Sequence, residues 1–504
     1  MPNHREKILL TAQELSIEDL VKVAREGALV ELSSELKERV NKSRALVEKM
    51  IAEKRVVYGI TTGFGNFATV TIDQEDTEAL QHNLIVSHAV GVGDPLPQDV
   101  VRAMMLLRAY SLSQGYSGIR LSVIESLLAA LNAGMHPYIP EKGSLGSSGD
   151  LAPLSHMIMP FLGLGQAYFE GELLDGAEAL KRAGIEPIVL QAKEGLALNN
   201  GTQCMTAIAS LAVYDAEKLL KSADLVAALT IEALNGIPAA FDPRIHQIRN
   251  HPGQIETAAT ILEHLEDSEY TAPNNHPRVQ DAYALRCTSQ VHGPIKEALE
   301  YVKTVVAREV NGVTDNPLIF LDTEEAISGG NFHGEPIALA MDFFGIALSE
   351  LANISERRLE RLVNPALSNG LPAFLTENGG VNSGFMIVQY SAAALVSENK
   401  VLAHPASVDS IPSSANQEDH VSMGTIAARK AAQILNHSTH VLSMELLGAA
   451  QGIDLRGKDK ELGKGTKAVY RALREKVAPL KDDRPMIDDM KEAFLLVQSG
   501  FIKK

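Results

Sequence analysis

The sequence predicts a mainly α-helical protein: a long-helix bundle with a smaller, loop-rich N-terminal part that bears a chemically unusual loop. Three observations predict it. Residues 203–234, 279–311, 336–363, 387–402 and 421–450 are amphipathic runs longer than the average globular helix of about 11–12 residues. Strand candidates are few, chiefly the Ala167–Leu174 segment with a turn at Gly171. The stretch Gly143–His156 holds three glycines and four serines in fourteen positions, which suits a loop because small residues permit turns that others cannot make. The texture changes near residue 200. We therefore expect an N-terminal domain at 1–200 and a long-helix bundle domain at 201–504.

Taken in order, Ser16-Ile17-Glu18-Asp19 reads as a helix start with an N-cap and an acidic first turn. Glu35 to Ala52 is charged on one face and apolar on the other, a surface helix. Gly63-x-Gly65-x-x-Ala68 matches a dinucleotide fingerprint. It is rejected, because β-branched Thr69-Val70-Thr71-Ile72 follows where a helix should begin. We read it as a glycine-hinged loop beside Tyr58. Gln81–His88 is a helix running into Ala89-Val90-Gly91-Val92-Gly93, and residues 98–134 are two helices parted near Gly115 and Gly118. No internal repeat or Pro-rich linker is apparent.

Composition narrows the function. The chain has 504 residues, 45% of them hydrophobic and 22% charged, enough to bury a large core. A formal net charge of −17 argues against a nucleic-acid partner, which needs a basic face. The N-terminus is polar, without a signal-peptide core. The apolar stretch Pro336–Leu348 is interrupted by Asp342 and is too short to span a bilayer, so no membrane role is expected and it reads as a buried helix. Two cysteines, Cys204 and Cys287, supply neither a disulfide framework nor a metal cluster, which fits a cytoplasmic setting. There is no His-Glu-x-x-His helix, no Walker loop and no Gly-x-Ser-x-Gly elbow, and the pair His437 and His440 reads as surface; no metal is expected.

The segment Ser147-Ser148-Gly149-Asp150 offers a different chemistry. A glycine nitrogen, flanked by no Cβ, can approach the carbonyl carbon two residues upstream. Attack of the Gly149 nitrogen on the Ser147 carbonyl, with loss of one water from the ring and of the Ser148 hydroxyl as a second, leaves a methylidene-imidazolone: an uncharged electrophile made from the chain itself. For an isolated Ser-Ser-Gly an ordinary loop is the default, and the longer run shifts the balance. Other polar groupings are individually unremarkable. Gln280, Tyr283 and Arg286, spaced by three, would line one helix face, either as a polar surface or as an arginine fork for a carboxylate. Ser328–Pro336 is a glycine-rich helix start. Lys193–Gln203 reads as a charged strip, a turn and a long helix, and Ser413–His420 as a solvated loop.

The run around Ser148 resembles the cofactor loop of the histidine and aromatic amino-acid ammonia-lyases, Gly-Ser-x-Gly-Ala-Ser-Gly-Asp-Leu-Ala-Pro-Leu. Ser147 stands where that family usually has alanine. Only its backbone enters the ring, so a small hydroxyl is tolerated. The resemblance covers nearly the whole chain. It takes in Tyr58-Gly59-x-Thr61-Thr62-Gly63-Phe64-Gly65, Asn83-Leu84 with Ser87-His88, Lys193-Glu194-Gly195-Leu196-Ala197-Leu198, and Asn200-Gly201-Thr202. It continues through Gln280–Arg286, Asp315-Asn316-Pro317, Gly330-Asn331-Phe332-His333, Glu377-Asn378-Gly379-Gly380 with Asn382-Ser383-Gly384-Phe385, and Ser414–Asp419.

The resemblance implies a largely helical fold, a 4-methylidene-imidazol-5-one formed from Ser147, Ser148 and Gly149 with no external cofactor, and homotetramers whose active sites are shared between subunits. It implies deamination of L-histidine to trans-urocanate and ammonia. Tyr58 would be the base and Arg286 would hold the carboxylate. Asn200 and Tyr283 would lie beside ring and substrate, Gln280 would add a substrate contact, and Phe332 would shape the ring pocket. Asp150 and Asn200 would assist cyclisation, and His88 and Glu418 would face the imidazole. A tyrosine or phenylalanine lyase or aminomutase is the alternative, opposed by Ser87-His88 and Glu418. A catalytically dead helical scaffold is a further one, which would need an uncyclised loop.

Overall fold

The long amphipathic runs fold as long helices, because one apolar stripe along each is satisfied only by packing against others. They are Gln203–Ala233, Thr288–Val310, Glu335–Val363, Met386–Leu402 and Gly424–Arg456. The structure is a computed structural model and describes residues 5–63, 76–272, 278–457 and 459–501. The glycine pair at 63 and 65 and the β-branched run after it therefore lie mostly outside the described residues. Shorter elements also follow local chemistry. Ser16 and Ser33 cap Ile17–Val21 and Ser34–Ala52, their hydroxyls accepting from Asp19 N and Leu36 N. The hairpin Gln166–Phe169 and Glu172–Asp175 turns at Gly171.

One reading is corrected. Residues 279–311 are not a single helical run: a four-residue helix, Tyr283–Arg286, precedes Thr288–Val310, and Ala282 before it is extended. The cause is tertiary. The buried Asp281 carboxylate accepts Ile237 N at 2.6 Å and lies 3.4 Å from Arg278 Nη2, which holds this stretch out of helical geometry. Gln280 consequently lies outside the helix that carries Tyr283 and Arg286.

The chain forms two compact units. The first comprises residues 1–214, 303–341 and 405–429. It contains the small sheets: parallel Lys7–Leu10 with Leu29–Leu32, antiparallel Val92–Pro95 with Pro140–Lys142, a three-stranded sheet in which Gln166–Phe169 lies between His136–Pro137 and Glu172–Asp175, and the Leu318–Phe320 and Glu325–Ile327 hairpin. At its centre the helix Gln98–Ser113 is buried on every side from Val100 to Ser113. Two arginines on it, Arg102 and Arg108, are buried and spend their hydrogens mainly on backbone carbonyls.

The second unit, residues 215–302, 342–404 and 430–504, has helices and no β-strand as its regular elements among the described residues. Its core encloses a paired charge cluster. Arg358 grips both carboxylate oxygens of Glu445, at 2.6 and 2.9 Å, and Thr230 and Ser355 donate to the same carboxylate. His292 joins Asp224, which also pairs with Lys296. One helix among the described residues, Glu335–Val363, is long and apolar enough to cross a membrane, but 61% of its apolar window is buried within the protein, as in a core helix.

Candidate active site

The loop at 143–150 is closed by backbone pairing with Gly201. Asp150 N donates to Gly201 O at 2.7 Å, and Gly201 N donates to Ser148 O at 3.3 Å. Gly149 sits at φ +78, and a Cβ there would overlap the Gly201 carbonyl. Only glycine allows this approach. Ser147 is buried, and Ser148 carries its hydroxyl 2.8 Å from Glu418 Oε1, to which it donates.

Asp150 anchors the loop from below. Its buried carboxylate accepts from Cys204 N at 2.9 Å and Met205 N at 3.0 Å, in the first turn of Gln203–Ala233. Ser144 Oγ donates at 2.8 Å, and Thr425 Oγ1, at the start of Gly424–Arg456, donates to the same oxygen. Burial pushes the carboxyl upward, against these four donors, which hold it down. A carboxylate at a helix N-terminus also meets the positive end of the dipole.

Glu418 and His88 belong to the same unit. Ser413 and Glu418 pair through their backbones, and Ser413 Oγ lies 3.2 Å from Glu418 Oε2. Ser414, Ala415 and Asn416 between them are all left-handed, a strained turn that sets Glu418 over the loop. The loop is solvated, as its polarity suggests, with only Ser413 and Glu418 half-buried. His88 ends the helix Thr77–His88, with Ser87 Oγ 3.0 Å from its Nδ1. Burial lowers its pKa, against a hydrogen bond to the Leu84 backbone and the Glu418 charge, which raise it.

A family model described as aromatic amino acid lyase matches residues 15–475 of the chain. The chain belongs to the aromatic amino acid lyase family. It is 58% identical to a histidine ammonia-lyase of Alkaliphilus oremlandii, over 98% of this chain and 97% of the relative. Among solved structures it is similar to histidine ammonia-lyase from Trypanosoma cruzi, with TM-score 0.91, 43% identity and coverage of 98% and 94%. It is also similar to phenylalanine aminomutase of Pantoea agglomerans, with TM-score 0.94, 36% identity and coverage of 98% and 100%.

Within the first unit of this lyase, Asn200 lies beside the loop, its Nδ2 3.4 Å from Asn316 O. Tyr58 is half-buried in a turn closed by Ile60 N on Val57 O, and Phe332 is half-buried just before Glu335–Val363. Gln280, Tyr283 and Arg286 belong to the second unit. Tyr283 is 70% exposed there, and the Arg286 guanidinium lies 4.6 Å from its ring centre. Arg286 Nε is buried without a hydrogen-bond partner among the described residues.

Some residues that support the site have no role assigned to them from the sequence. Ser144 and Thr425 hold Asp150, and Arg108 holds Asn200. Lys193 and Glu194, read as a charged strip, are fully buried: Lys193 pairs with Asp315 at 2.7 Å and Glu194 with Arg120 at 2.6 Å. An arginine set in the apolar run Val100–Leu112 is the one clue to Arg108 that was available.

Proposed function

We propose that this lyase is a histidine ammonia-lyase, converting L-histidine to trans-urocanate and ammonia. The observation that carries the reading is the meeting of Ser148 with Glu418 at 2.8 Å. The serine whose hydroxyl must leave sits beside Glu418, a carboxylate suited to an imidazole N–H. The identity to histidine-specific relatives supports it further.

The loop fits a 4-methylidene-imidazol-5-one made from Ser147, Ser148 and Gly149, since position 149 admits no side chain and Ser147 contributes only backbone. Such a group supplies an uncharged electrophile that takes up electron density from the substrate. The chain's own residues do the rest. Asp150 and Asn200 hold the loop. Tyr58 removes the weakly acidic β-proton, which needs a positioned base. Arg286 offers a guanidinium fork to the α-carboxylate, with Gln280 and Tyr283 beside it. Glu418 accepts an imidazole N–H, His88 packs against the ring, and Phe332 walls the pocket.

We place the enzyme in the cytoplasm, a reading supported by two unpaired cysteines. A homotetramer with shared sites is supported by Tyr283 and by the stripe Leu339, Phe343 and Ile346 on one helix, 50%, 45% and 45% exposed. The test is product formation from histidine, tyrosine and phenylalanine side by side, with ammonia measured. Histidine should give urocanate and stoichiometric ammonia. The likeness to an aminomutase favours a second reading, in which a β-amino acid forms and ammonia is retained; that product would replace the lyase assignment.

A further inference from the structure

Gly201 is held on two sides. Its carbonyl lies against Gly149, while on its other side a Cβ would overlap Arg108 Nη1, Gln203 Oε1 and Thr314 Oγ1. It sits at φ +142, so this position admits only glycine. Arg108 is fully buried. Its Nη1 donates to Asn200 O at 2.6 Å and to Gln203 Oε1 at 2.7 Å, and its Nη2 donates to Ala197 O. Gln203 in turn donates to Thr314 Oγ1 at 2.9 Å. Asp315, whose charge acts on Arg108, is already paired with Lys193 at 2.7 Å. Arg108 is therefore committed to backbone and amide oxygens rather than to an ion pair. Its helix is buried all round, which makes it a stiff support.

We propose that Arg108 is a positioning residue for ring closure: it presses the Asn200–Gly201 turn onto Gly149, keeping Ser147–Gly149 compressed so that the Gly149 nitrogen reaches the Ser147 carbonyl carbon. This rests on the cyclised-loop reading above. In that step the Gly149 N–C bond to Ser147 forms. The Ser147 oxygen leaves as water with the Gly149 and Ser148 amide protons, creating a C=N bond. The Ser148 hydroxyl then leaves with its Cα proton as a second water. Nothing is oxidised or reduced. Without Arg108 the turn can retreat from Gly149, and misplacement by about 1 Å costs on the order of 10²-fold in rate.

The test follows intact mass over time during cell-free synthesis, on the folded fraction, for wild type, Arg108→Met and Arg108→Lys. Wild type should reach the mass lower by two waters. Arg108→Met should fold, with a cooperative thermal transition, yet lose water about 10²-fold more slowly. Arg108→Lys, with one compact ammonium for three acceptors, should fall between. Folded Arg108→Met that matures at the wild-type rate overturns the proposal, since a purely structural role would lower Tm alone. If Arg108→Met does not fold, Arg108→Lys and Gln203→Leu decide, and normal maturation in both overturns it. A wild type that stays at its unmodified mass overturns the cyclised loop itself and this inference with it.

Discussion

Ser148 donates its hydroxyl to Glu418 across 270 residues of sequence, at 2.8 Å. The hydroxyl that ring maturation would expel is thus the donor that keeps one oxygen of Glu418 partnered. Once it has gone, Glu418 Oε1 has to find a donor elsewhere, and a buried or half-buried carboxylate without one is costly. If Glu418 recognises the substrate's imidazole as proposed, this one contact links loop chemistry to substrate recognition.

Ser148→Ala removes the hydroxyl and the exocyclic carbon source together. The variant should fold, lose at most one water, and drop in kcat by at least about 10³-fold, as when a covalent catalytic group is removed. Ser147→Ala should mature and turn over normally, because that side chain stays outside the ring. Intact mass and steady-state kinetics on the pair check both. Full activity in Ser148→Ala would sink the cyclised-loop reading.

Tyr58→Phe keeps the ring's shape and removes the phenol. If Tyr58 moves the β-proton, kcat should fall by about 10²–10⁴-fold with KM little changed. Arg286→Lys gives up bidentate geometry and should act mainly on KM, by on the order of tenfold. Steady-state kinetics on both separate the roles, and an unchanged kcat in Tyr58→Phe removes that residue from the mechanism.

What could be read in the sequence was whatever local periodicity or a contiguous motif carries. The helix Gln203–Ala233 and the turn at Gly171 stand in the structure where the pattern puts them, because apolar spacing and glycine chemistry decide them locally. The stretch before Tyr283 misleads, since Asp281 is held by Ile237 N, 44 residues away. Lys193 and Glu194 look solvated, and their burial depends on Asp315 and Arg120, each distant in sequence. The loop is legible as a contiguous run, and its companions are legible through family resemblance. The support beneath it is not: Arg108 meets Asn200 over 92 residues, and no local pattern encodes that.

The burial of histidines predicts a pH response. His88, His136, His156, His246, His264, His292 and His440 are all held below the ordinary value of 6.5, in each case chiefly by burial. A pKa lower in the fold than in the unfolded chain means that the unfolded chain binds the proton first as pH falls. The stability these groups contribute is therefore complete above about 6.5 and is lost below it. Asp150, Glu232 and Glu309, pushed up by burial, act in the opposite sense but are fewer. Calorimetry should show Tm lower at pH 5.5 than at 7.5, with protons taken up on unfolding near pH 6. A Tm that is flat or rising over that interval contradicts this account.

Substrate choice turns on what Glu418 can bond. Imidazole brings an N–H into the pocket; phenylalanine brings none, and tyrosine carries its hydroxyl at the far end of a longer ring. Sites built to bond a polar substrate group reject analogues lacking it, because their own groups are left unpaired. Glu418→Ala should therefore cut kcat/KM for histidine by about 10²-fold or more, while any weak turnover of phenylalanine falls less. The variant also removes the partner of the Ser148 hydroxyl, so slow maturation could mimic lost recognition. Intact mass separates the two: only chains lighter by two waters count, and rates are compared per matured chain. Glu418→Gln, which keeps an acceptor of the same shape without the charge, should lie between wild type and alanine. If matured Glu418→Ala turns over histidine as wild type does, Glu418 does not select the imidazole, and His88 with its Ser87 partner becomes the place to look.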